Sequence, residues 1–367
     1  MKVPFNDLSR IHNPIKKNVL SKLNKTIDKN EFILGDSVKN FETSFSRYTD
    51  SKYSISCSNG TDAIELVLRA LGIGNQDEVI IPSNTFIATA LAVTRTGATP
   101  ILVDNNSFYL IDTDVIEKNI TKKTKAIIGV HLYGQQADNK KISDICKKYN
   151  LSYIEDSAQA HGSLYKNKPP GTYSIAATYS FYPGKNLGAW GDAGAITTNN
   201  KIFAKKLESI RNWGSTKKYI HNDIGFNSRM NTLQAIVLSE KIKKIDEWNH
   251  QRLNIANYYI EELTDIKNIT LPRVFEENLH VWHLFVIRTK KRNQFIRFMK
   301  EKNIELGIHY PKAIHHQKAY SSYKFNKSNF KNANKFSSQL VSLPIFPLMS
   351  LKEKEYVVKN IFKFFNQ

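Results

Sequence analysis

A single lysine, Lys185, lies in a glycine-rich loop that follows a short apolar segment. The loop, residues 180–194, contains four glycines and one proline, and residues 176–179 before it are typical of a β-strand. Glycine lets the backbone turn sharply and approach a bound group closely, so we expect this loop to hold Lys185 in place. A lysine amine held in this way can act in covalent chemistry. The alternative is that Lys185 is one more solvated side chain in a lysine-rich protein.

An aspartate is predicted to end the strand that precedes this loop. Residues 153–162 begin with the apolar pair Tyr153 and Ile154 and then place a carboxylate at Asp156. Ligands of open α/β sheets bind beyond the carboxyl ends of the strands. An amine that can form a Schiff base and a carboxylate that keeps a pyridine nitrogen protonated are what pyridoxal phosphate (PLP) requires. The two residues together therefore predict a PLP site.

Two blocks of the sequence carry a resemblance to a known family. They are SFYPGKNLGAWGDAG at 180–194 and EDSAQAHG at 155–162. With them the chain resembles the PLP-dependent nucleotide-sugar aminotransferases of the DegT type, over nearly its whole length. The resemblance implies the aspartate aminotransferase-like α/β fold (PLP fold type I). We expect an N-terminal arm and a large, mostly parallel-sheet domain at 1–248, and a smaller C-terminal α/β domain at 249–367.

Composition and charge limit the other classes of function. Hydrophobic residues make up 41% of the 367, the typical proportion for a globular protein. Cys57 and Cys146 are far apart and lack metal-ligand or redox spacing, so we expect neither a disulfide nor a metal site. The sequence shows no signal peptide and no apolar run long enough to cross a membrane, which predicts a cytoplasmic protein without membrane insertion.

The net charge of +20 raises the possibility of a nucleic-acid partner. The basic residues are, however, spread from Lys2 to Lys363 and mixed with polar and acidic ones. This distribution favours solvated faces, so we expect no nucleic-acid partner. A basic surface would also suit an anionic nucleotide diphosphate.

Short apolar strands alternate with helices through the first half of the chain. Strands are predicted at 79–82, 100–104 and 126–130, followed by the strand that ends at Asp156. Continuously apolar strands separated by helices indicate a mostly parallel sheet that is covered on both faces. Earlier in the chain, the spacing of Val38, Phe41 and Phe45 predicts an amphipathic helix after a turn at Gly35.

A polar turn at 58–62 opens a strongly helical segment. Free backbone N–H groups and the positive end of a helix dipole form a site for phosphate there. The alternative is an ordinary N-cap by Ser58 or Asn59. The resemblance assigns Gly60 and Thr61 to the cofactor phosphate, together with the hydroxyl of Ser180.

Two more residues of the first half are implicated in cofactor binding. Phe86 follows a predicted strand and opens a helix, where core packing is the ordinary role of phenylalanine. The resemblance instead implies that Phe86 stacks on the PLP ring, an arrangement that aromatic rings favour. It also places Gln159 near the ring hydroxyl, although an amide at this position could simply be a surface residue.

A long polar segment at 211–231 joins two helical runs. Long ordered loops tend to be functional. The resemblance implies a homodimer in which this loop reaches the neighbouring subunit's active site, with Asn227 at the PLP phosphate and Lys218 near the substrate. Trp213 and Asn231 depart from the tyrosine and aspartate usual in the family.

Three histidines lie close together at His309, His315 and His316. Their spacing lacks the regularity of metal ligands and no carboxylate is interleaved, so we expect no metal. The segment around His309 and Tyr310 instead resembles sugar aminotransferases that act on dTDP-linked 3-keto-6-deoxyhexoses, in which these two residues face the sugar.

These features lead to one principal hypothesis and two alternatives. The resemblance implies PLP-dependent transamination of a dTDP-3-keto-6-deoxyhexose to the 3-amino sugar, with L-glutamate as donor, in deoxyamino-sugar biosynthesis for surface glycans. Lys185 would bind PLP and move the proton as general base and acid. Transfer to C4 of a UDP- or dTDP-4-keto-6-deoxy sugar is the first alternative. A non-catalytic, PLP-binding regulatory protein is the second.

Overall fold

A mostly parallel β-sheet forms the centre of the protein. The computed structural model describes residues 1–366, and all statements about the structure refer to these. The strands are β1 Tyr53–Cys57, β2 Glu78–Pro82, β3 Thr99–Val103, β4 Thr124–Val130, β5 Ser152–Asp156, β6 Leu164–Tyr165, β7 Ala176–Ser180, β8 Gly194–Thr198, β9 Ser215–Lys217, β10 Ile220–His221, β11 Asn278–Leu279, β12 Phe285–Arg288 and β13 Leu340–Leu343.

The central sheet has the strand order β1-β8-β7-β5-β4-β2-β3. Strands β3, β2, β4, β5 and β7 run parallel to one another, whereas β8 runs antiparallel to both β7 and β1. The inner strands are buried along nearly their whole length, as expected for a sheet with helices on both faces. The predicted fold class is therefore confirmed, and its parallel strands bring their carboxyl ends to one edge.

Helices cover the sheet and join its strands. They are α1 Ser9–Lys29, α2 Asp36–Tyr48, α3 Gly60–Ala70, α4 Ile87–Arg95, α5 Asn139–Tyr149, α6 Lys201–Ile210, α7 Thr232–Lys241, α8 Ile245–Leu263, α9 Arg292–Glu301, α10 Lys331–Ser337 and α11 Leu351–Phe365. Six residues of α3 in succession, 63–68, are buried because this helix lies between the sheet and other helices. The predicted amphipathic helix is α2, and it buries Val38, Phe41 and Phe45.

A second hydrophobic cluster lies in the C-terminal part. It combines residues of α8, α9 and α11 with those of the antiparallel pair β12 and β13. Val3, at the start of the chain, also belongs to this cluster and pairs with Ile304. The proposed boundary at 248 falls within α8, and the division into two domains stays a prediction.

The segment between α6 and α7 forms a small antiparallel hairpin of β9 and β10. Apolar side chains of the hairpin and of the residues after it are exposed: Tyr219, in the turn, is 82% exposed and Ile224, after β10, is 95% exposed. Among the helices of residues 1–366, none combines the length and apolar character needed to cross a membrane.

Candidate active site

A cavity of about 700 Å³ opens at the carboxyl ends of the parallel strands. Residues at or shortly after the ends of β2, β4, β5 and β7 line it, because these four ends share one edge of the sheet. Residues from α3, α4 and the C-terminal part complete the wall. The loop of Lys185 contributes the floor.

Lys185 projects into this cavity from a loop that is closed by backbone hydrogen bonds. The N–H of Lys185 donates to the carbonyl of Tyr182 (2.9 Å), and that of Ala189 donates to Phe181 (2.7 Å). A Cβ at Gly188 would lie 2.2 Å from the Pro183 carbonyl oxygen, so this turn requires glycine. Burial lowers the pKa of Lys185 to about 8, against the opposing effect of the nearby carboxylate. The amine is thus more readily deprotonated and nucleophilic than that of a solvated lysine.

Asp156 ends β5 and is 5% exposed. Its carboxylate accepts hydrogen bonds from the Thr89 hydroxyl (2.8 Å) and the Ala158 backbone N–H (3.2 Å). Burial raises the pKa of Asp156, and these two donors and Lys185 oppose that effect. A buried carboxylate that faces a cavity and lacks a full countercharge is suited to bind a protonated ring nitrogen.

The start of α3 forms an anion cradle. Asn59 is the N-cap, since its side chain accepts from the N–H of Asp62 (2.8 Å). This leaves the N–H groups of Gly60 and Thr61 at the cavity wall without a partner in the described chain. A Cβ at Gly60 would lie only 2.6 Å from the Cβ of Ser180, so glycine allows the helix to approach the Ser180 hydroxyl. The N-cap and phosphate interpretations are therefore compatible.

The ring position is bounded by an amide and two aromatic side chains. Gln159 accepts from the Tyr133 N–H (2.7 Å) and donates to the Tyr310 hydroxyl (3.0 Å), which fixes the orientation of its amide. Phe86 is 50% exposed towards the cavity, and its ring centroid lies 5.2 Å from that of Tyr310. Phe86 is thus available for stacking on a ligand.

His309, next to Tyr310, also lines the cavity. Its ring stacks on Phe5 with a centroid distance of 5.5 Å, and its Nδ1 lies 2.8 Å from the Ser342 hydroxyl. Burial, and secondarily the charge of Lys185, lower the pKa of His309 to about 4, so this imidazole is neutral at physiological pH. The other two histidines lie elsewhere: the Nε2 atoms of His315 and His316 are each 2.7 Å from the Asn334 side-chain oxygen.

Two predicted residues do not reach the cavity of their own chain. Lys218 and Asn227 are both exposed, and Lys218 lies over the ring of the adjacent Tyr219 at 5.2 Å. The described residues 1–366 hold no group of three or more histidine, cysteine or acidic side chains placed for a metal ion.

Sequence reasoning missed several cavity residues: Phe5, Thr89, His131, Tyr182 and His283. Thr89 lies one helical turn after Phe86, and Tyr182 lies within the lysine loop, so their positions offered a local signal. Phe5 and His283 are about 180 and 100 residues from Lys185 in the chain, and only the tertiary fold brings them to it.

The residues around Lys185 fit PLP. The amine, the buried carboxylate, the glycine-dependent anion cradle and the exposed aromatic face all border one cavity of the right kind. The fold and the site thus define the class of PLP-binding α/β enzymes.

Comparisons with known proteins agree with this class. The model of the DegT/DnrJ/EryC1/StrS aminotransferase family matches residues 13–362. A dTDP-3-amino-3,6-dideoxy-alpha-D-galactopyranose transaminase from Aneurinibacillus thermoaerophilus is 47% identical over 362 residues, 98% of each protein. The chain belongs to the DegT/DnrJ/EryC1/StrS aminotransferase family.

Solved structures show the same similarity. DesV from S. venezuelae superposes with a TM-score of 0.98 at 36% identity, covering 100% of this chain and 99% of the other. NtdA from Bacillus subtilis, solved with bound cofactor PMP, gives a TM-score of 0.93 at 36% identity, covering 100% and 86%.

Proposed function

We propose that this protein is a PLP-dependent aminotransferase that converts a dTDP-linked 3-keto-6-deoxyhexose into the 3-amino sugar, with L-glutamate as amino donor. The observation that carries the proposal is the meeting of Lys185 and Asp156 in one cavity that His309 and Tyr310 also line. The name of the Aneurinibacillus relative, a transaminase of a 3-amino dideoxy sugar linked to dTDP, supports the substrate class.

Each residue has a role that follows from its surroundings. PLP, when bound to Lys185, supplies an electron sink for carbanion chemistry. Asp156 would keep the ring nitrogen of PLP protonated, and the hydroxyl of Thr89 orients that carboxylate. Gly60, Thr61 and Ser180 would hold the phosphate of PLP through the backbone N–H groups and the hydroxyl. Once released, the amine of Lys185 moves the proton from the donor's α-carbon as general base and returns one as general acid.

The sugar is assigned to the wall formed by His309 and Tyr310. His309 is neutral and its Nδ1 is bound to Ser342, while the Tyr310 hydroxyl is bound to Gln159. These bonds orient both rings towards the cavity. Such an arrangement positions a ligand through hydrogen bonds and apolar contact, and it adds no charge to the site. Transfer of the amino group to C4 of a 4-keto sugar would use the same residues. Assays with each keto sugar separately distinguish transfer to C3 from transfer to C4.

The active form is proposed to be a homodimer in the cytoplasm whose sites use residues of both chains. The support is the segment between α6 and α7, where the apolar side chains of Tyr219 and Ile224 are exposed on one chain, together with Lys218 and Asn227, which lie outside their own cavity. A partner chain that covered this segment would bury apolar surface and receive Lys218 and Asn227.

Mixed dimers test this shared site. Equal amounts of a Lys185→Ala chain and a Lys218→Ala chain are mixed and allowed to exchange subunits. We expect each variant to be inactive alone. A two-chain site then leaves one intact site per mixed dimer, and random pairing restores about a quarter of the wild-type rate. A mixture that stays inactive after subunit exchange, shown by native mass spectrometry, would contradict shared sites.

The core chemistry is tested by Lys185→Ala. We expect this variant to lose turnover with L-glutamate, whereas Lys205→Ala, which changes an exposed lysine of α6, retains it. The measurement is the conversion of bound PLP to the amino form, followed by absorbance. Wild-type protein that binds PLP but never reacts with any amino donor would favour the regulatory alternative.

A further inference from the structure

A histidine that the assigned roles leave unused, His283, lies in the cavity wall with Lys185. It is contributed by the segment before β12, a part of the chain remote from the lysine loop. Its Nδ1 is 3.1 Å from the side-chain oxygen of Asn186, the residue next to Lys185. The hydrogen bonds of Asn186 decide which nitrogen of His283 carries the proton.

The amide orientation of Asn186 is fixed from both sides. Its Nδ2 donates to the Asn249 side-chain oxygen (2.8 Å) and to the Val281 carbonyl (2.9 Å). Asn249 is oriented in turn because its own Nδ2 donates to the carbonyl of His161 (2.9 Å). Both acceptors of Asn186 require the amide nitrogen on that side. Its oxygen therefore faces His283, and an amide oxygen only accepts.

Nδ1 of His283 must then be the protonated nitrogen. In a neutral imidazole the other nitrogen, Nε2, carries a lone pair and acts only as an acceptor. Burial, followed by the charges of Lys185 and Arg252, holds the pKa of His283 well below its usual range, so the ring remains neutral. Nε2 has no hydrogen-bond partner among residues 1–366.

The amine of Lys185 lacks a hydrogen-bond acceptor within residues 1–366. It donates to no side chain or carbonyl of the described residues, although the charge of Asp156 is nearby. The amine is a donor without an acceptor, and Nε2 of His283 is an acceptor without a donor. Both lie in the same cavity, close enough for the lysine charge to act on the imidazole.

We propose that His283 is a positioning residue that accepts a hydrogen bond from the Lys185 amine whenever that amine is not bonded to the cofactor. The inference rests on the proposed function. A released lysine side chain has many rotamers, and an acceptor in the wall restricts it to the one from which it transfers the proton. Because the side chain of Asn186 binds Nδ1 of His283, it leaves the acceptor nitrogen Nε2 available to the amine of Lys185.

Two substitutions separate this role from a structural one. His283→Asn keeps a donor near the position of Nδ1, and hence the bond to Asn186, but has no acceptor at the position of Nε2. His283→Gln places its side-chain oxygen near the position of Nε2 but loses the donor to Asn186. If His283 only supports the structure, His283→Asn should impair the protein less than His283→Gln. The proposal predicts that His283→Asn impairs proton transfer more than His283→Gln.

The experiment measures exchange of the α-proton of L-glutamate into D₂O by NMR, with PLP-loaded protein. We expect His283→Asn to bind PLP with the visible spectrum of the wild type and to exchange about 10- to 100-fold more slowly, the loss typical of one hydrogen bond to a charged group. We expect His283→Gln to stay within about fivefold of the wild type, since it retains an acceptor.

The outcomes are distinguishable. Equal rates for wild type and His283→Asn, or a slower His283→Gln, overturn the inference and leave the proposed function intact. Wild-type protein that exchanges no α-proton contradicts the proposed function itself. If neither variant binds PLP, ¹⁵N NMR of wild-type histidines decides. The signal of His283 is identified as the one that changes when borohydride reduces the Lys185–PLP bond. We expect this histidine to carry its proton on Nδ1, and a proton on Nε2 overturns the inference.

Discussion

A buried lysine without a carboxylate partner, Lys241, makes the stability of this protein depend on pH in an unusual direction. Its side chain is 0% exposed on α7. Its Nζ donates to the carbonyl of Gly188 (2.5 Å), in the lysine loop, and lies 3.0 Å from Nε2 of His12. Burial, and secondarily Lys241 itself, lower the pKa of His12 to about 4, so neither contact carries a compensating charge near neutral pH.

The magnitude follows from the pKa of Lys241, which burial lowers from 10.5 to about 7. Between these two values the unfolded chain binds a proton that the folded chain does not. The free energy of unfolding therefore rises with pH in this window, by about 1.4 kcal/mol per pH unit from this group. From pH 7, where the lysine of the folded chain is half protonated, to pH 9 the sum is about 2 kcal/mol, a substantial part of the stability of a typical domain.

The assay is urea unfolding of PLP-loaded protein at pH 7, 8 and 9, for the wild type and Lys241→Met. The variant lacks the titrating group, so we expect its free energy of unfolding to rise less steeply, by about 1.4 kcal/mol per pH unit relative to the wild type. The contributions of the other titrating groups to the slope are the same in both proteins and cancel in the comparison. Lys205→Met, at an exposed position of α6, is the control and should keep the wild-type slope. Parallel slopes for wild type and Lys241→Met would refute the reasoning.

Three further predictions concern the cofactor site. Gly60→Ala should weaken PLP binding about 10- to 100-fold, because the new Cβ would lie 2.6 Å from the Cβ of Ser180 and push the two apart; a PLP titration checks this. Thr89→Val removes a hydrogen bond to Asp156 and should slow the reaction with L-glutamate about tenfold, measured as kcat. In cofactor-free protein, PLP should bond to Lys185 faster as pH rises and level off above about 8, since only the neutral amine reacts; stopped-flow absorbance follows it.

Local patterns in the sequence predicted the fold and the position of the candidate lysine and aspartate along it. The apolar strands 79–82 and 126–130 correspond to β2 and β4, and the carboxylate at Asp156 ends β5 as expected. This works because buried parallel strands are continuously apolar and because the ends of parallel strands share an edge. The lysine loop carries its own signal, since its glycines permit turns that other residues do not.

The rest of the cavity depended on contacts that no local pattern reveals. Phe5 reaches His309 only because the N-terminal segment pairs with Ile304, about 300 residues away. The tautomer of His283 depends on Asn186, which lies far from it in the sequence. The placement of Lys218 in a partner's site also stays a prediction, because it concerns a contact between two chains.

The most direct test of the central claim offers the protein two substrates separately. PLP, L-glutamate and either a dTDP-3-keto- or a dTDP-4-keto-6-deoxyhexose are incubated with the enzyme, and products are identified by mass spectrometry. The proposal predicts a new amino sugar from the 3-keto substrate alone. Product from the 4-keto substrate alone would retain the role of Lys185 and contradict the assignment of the His309 wall to C3. Amination of neither substrate would contradict the proposal that the sugar substrate is a dTDP-linked keto-6-deoxyhexose.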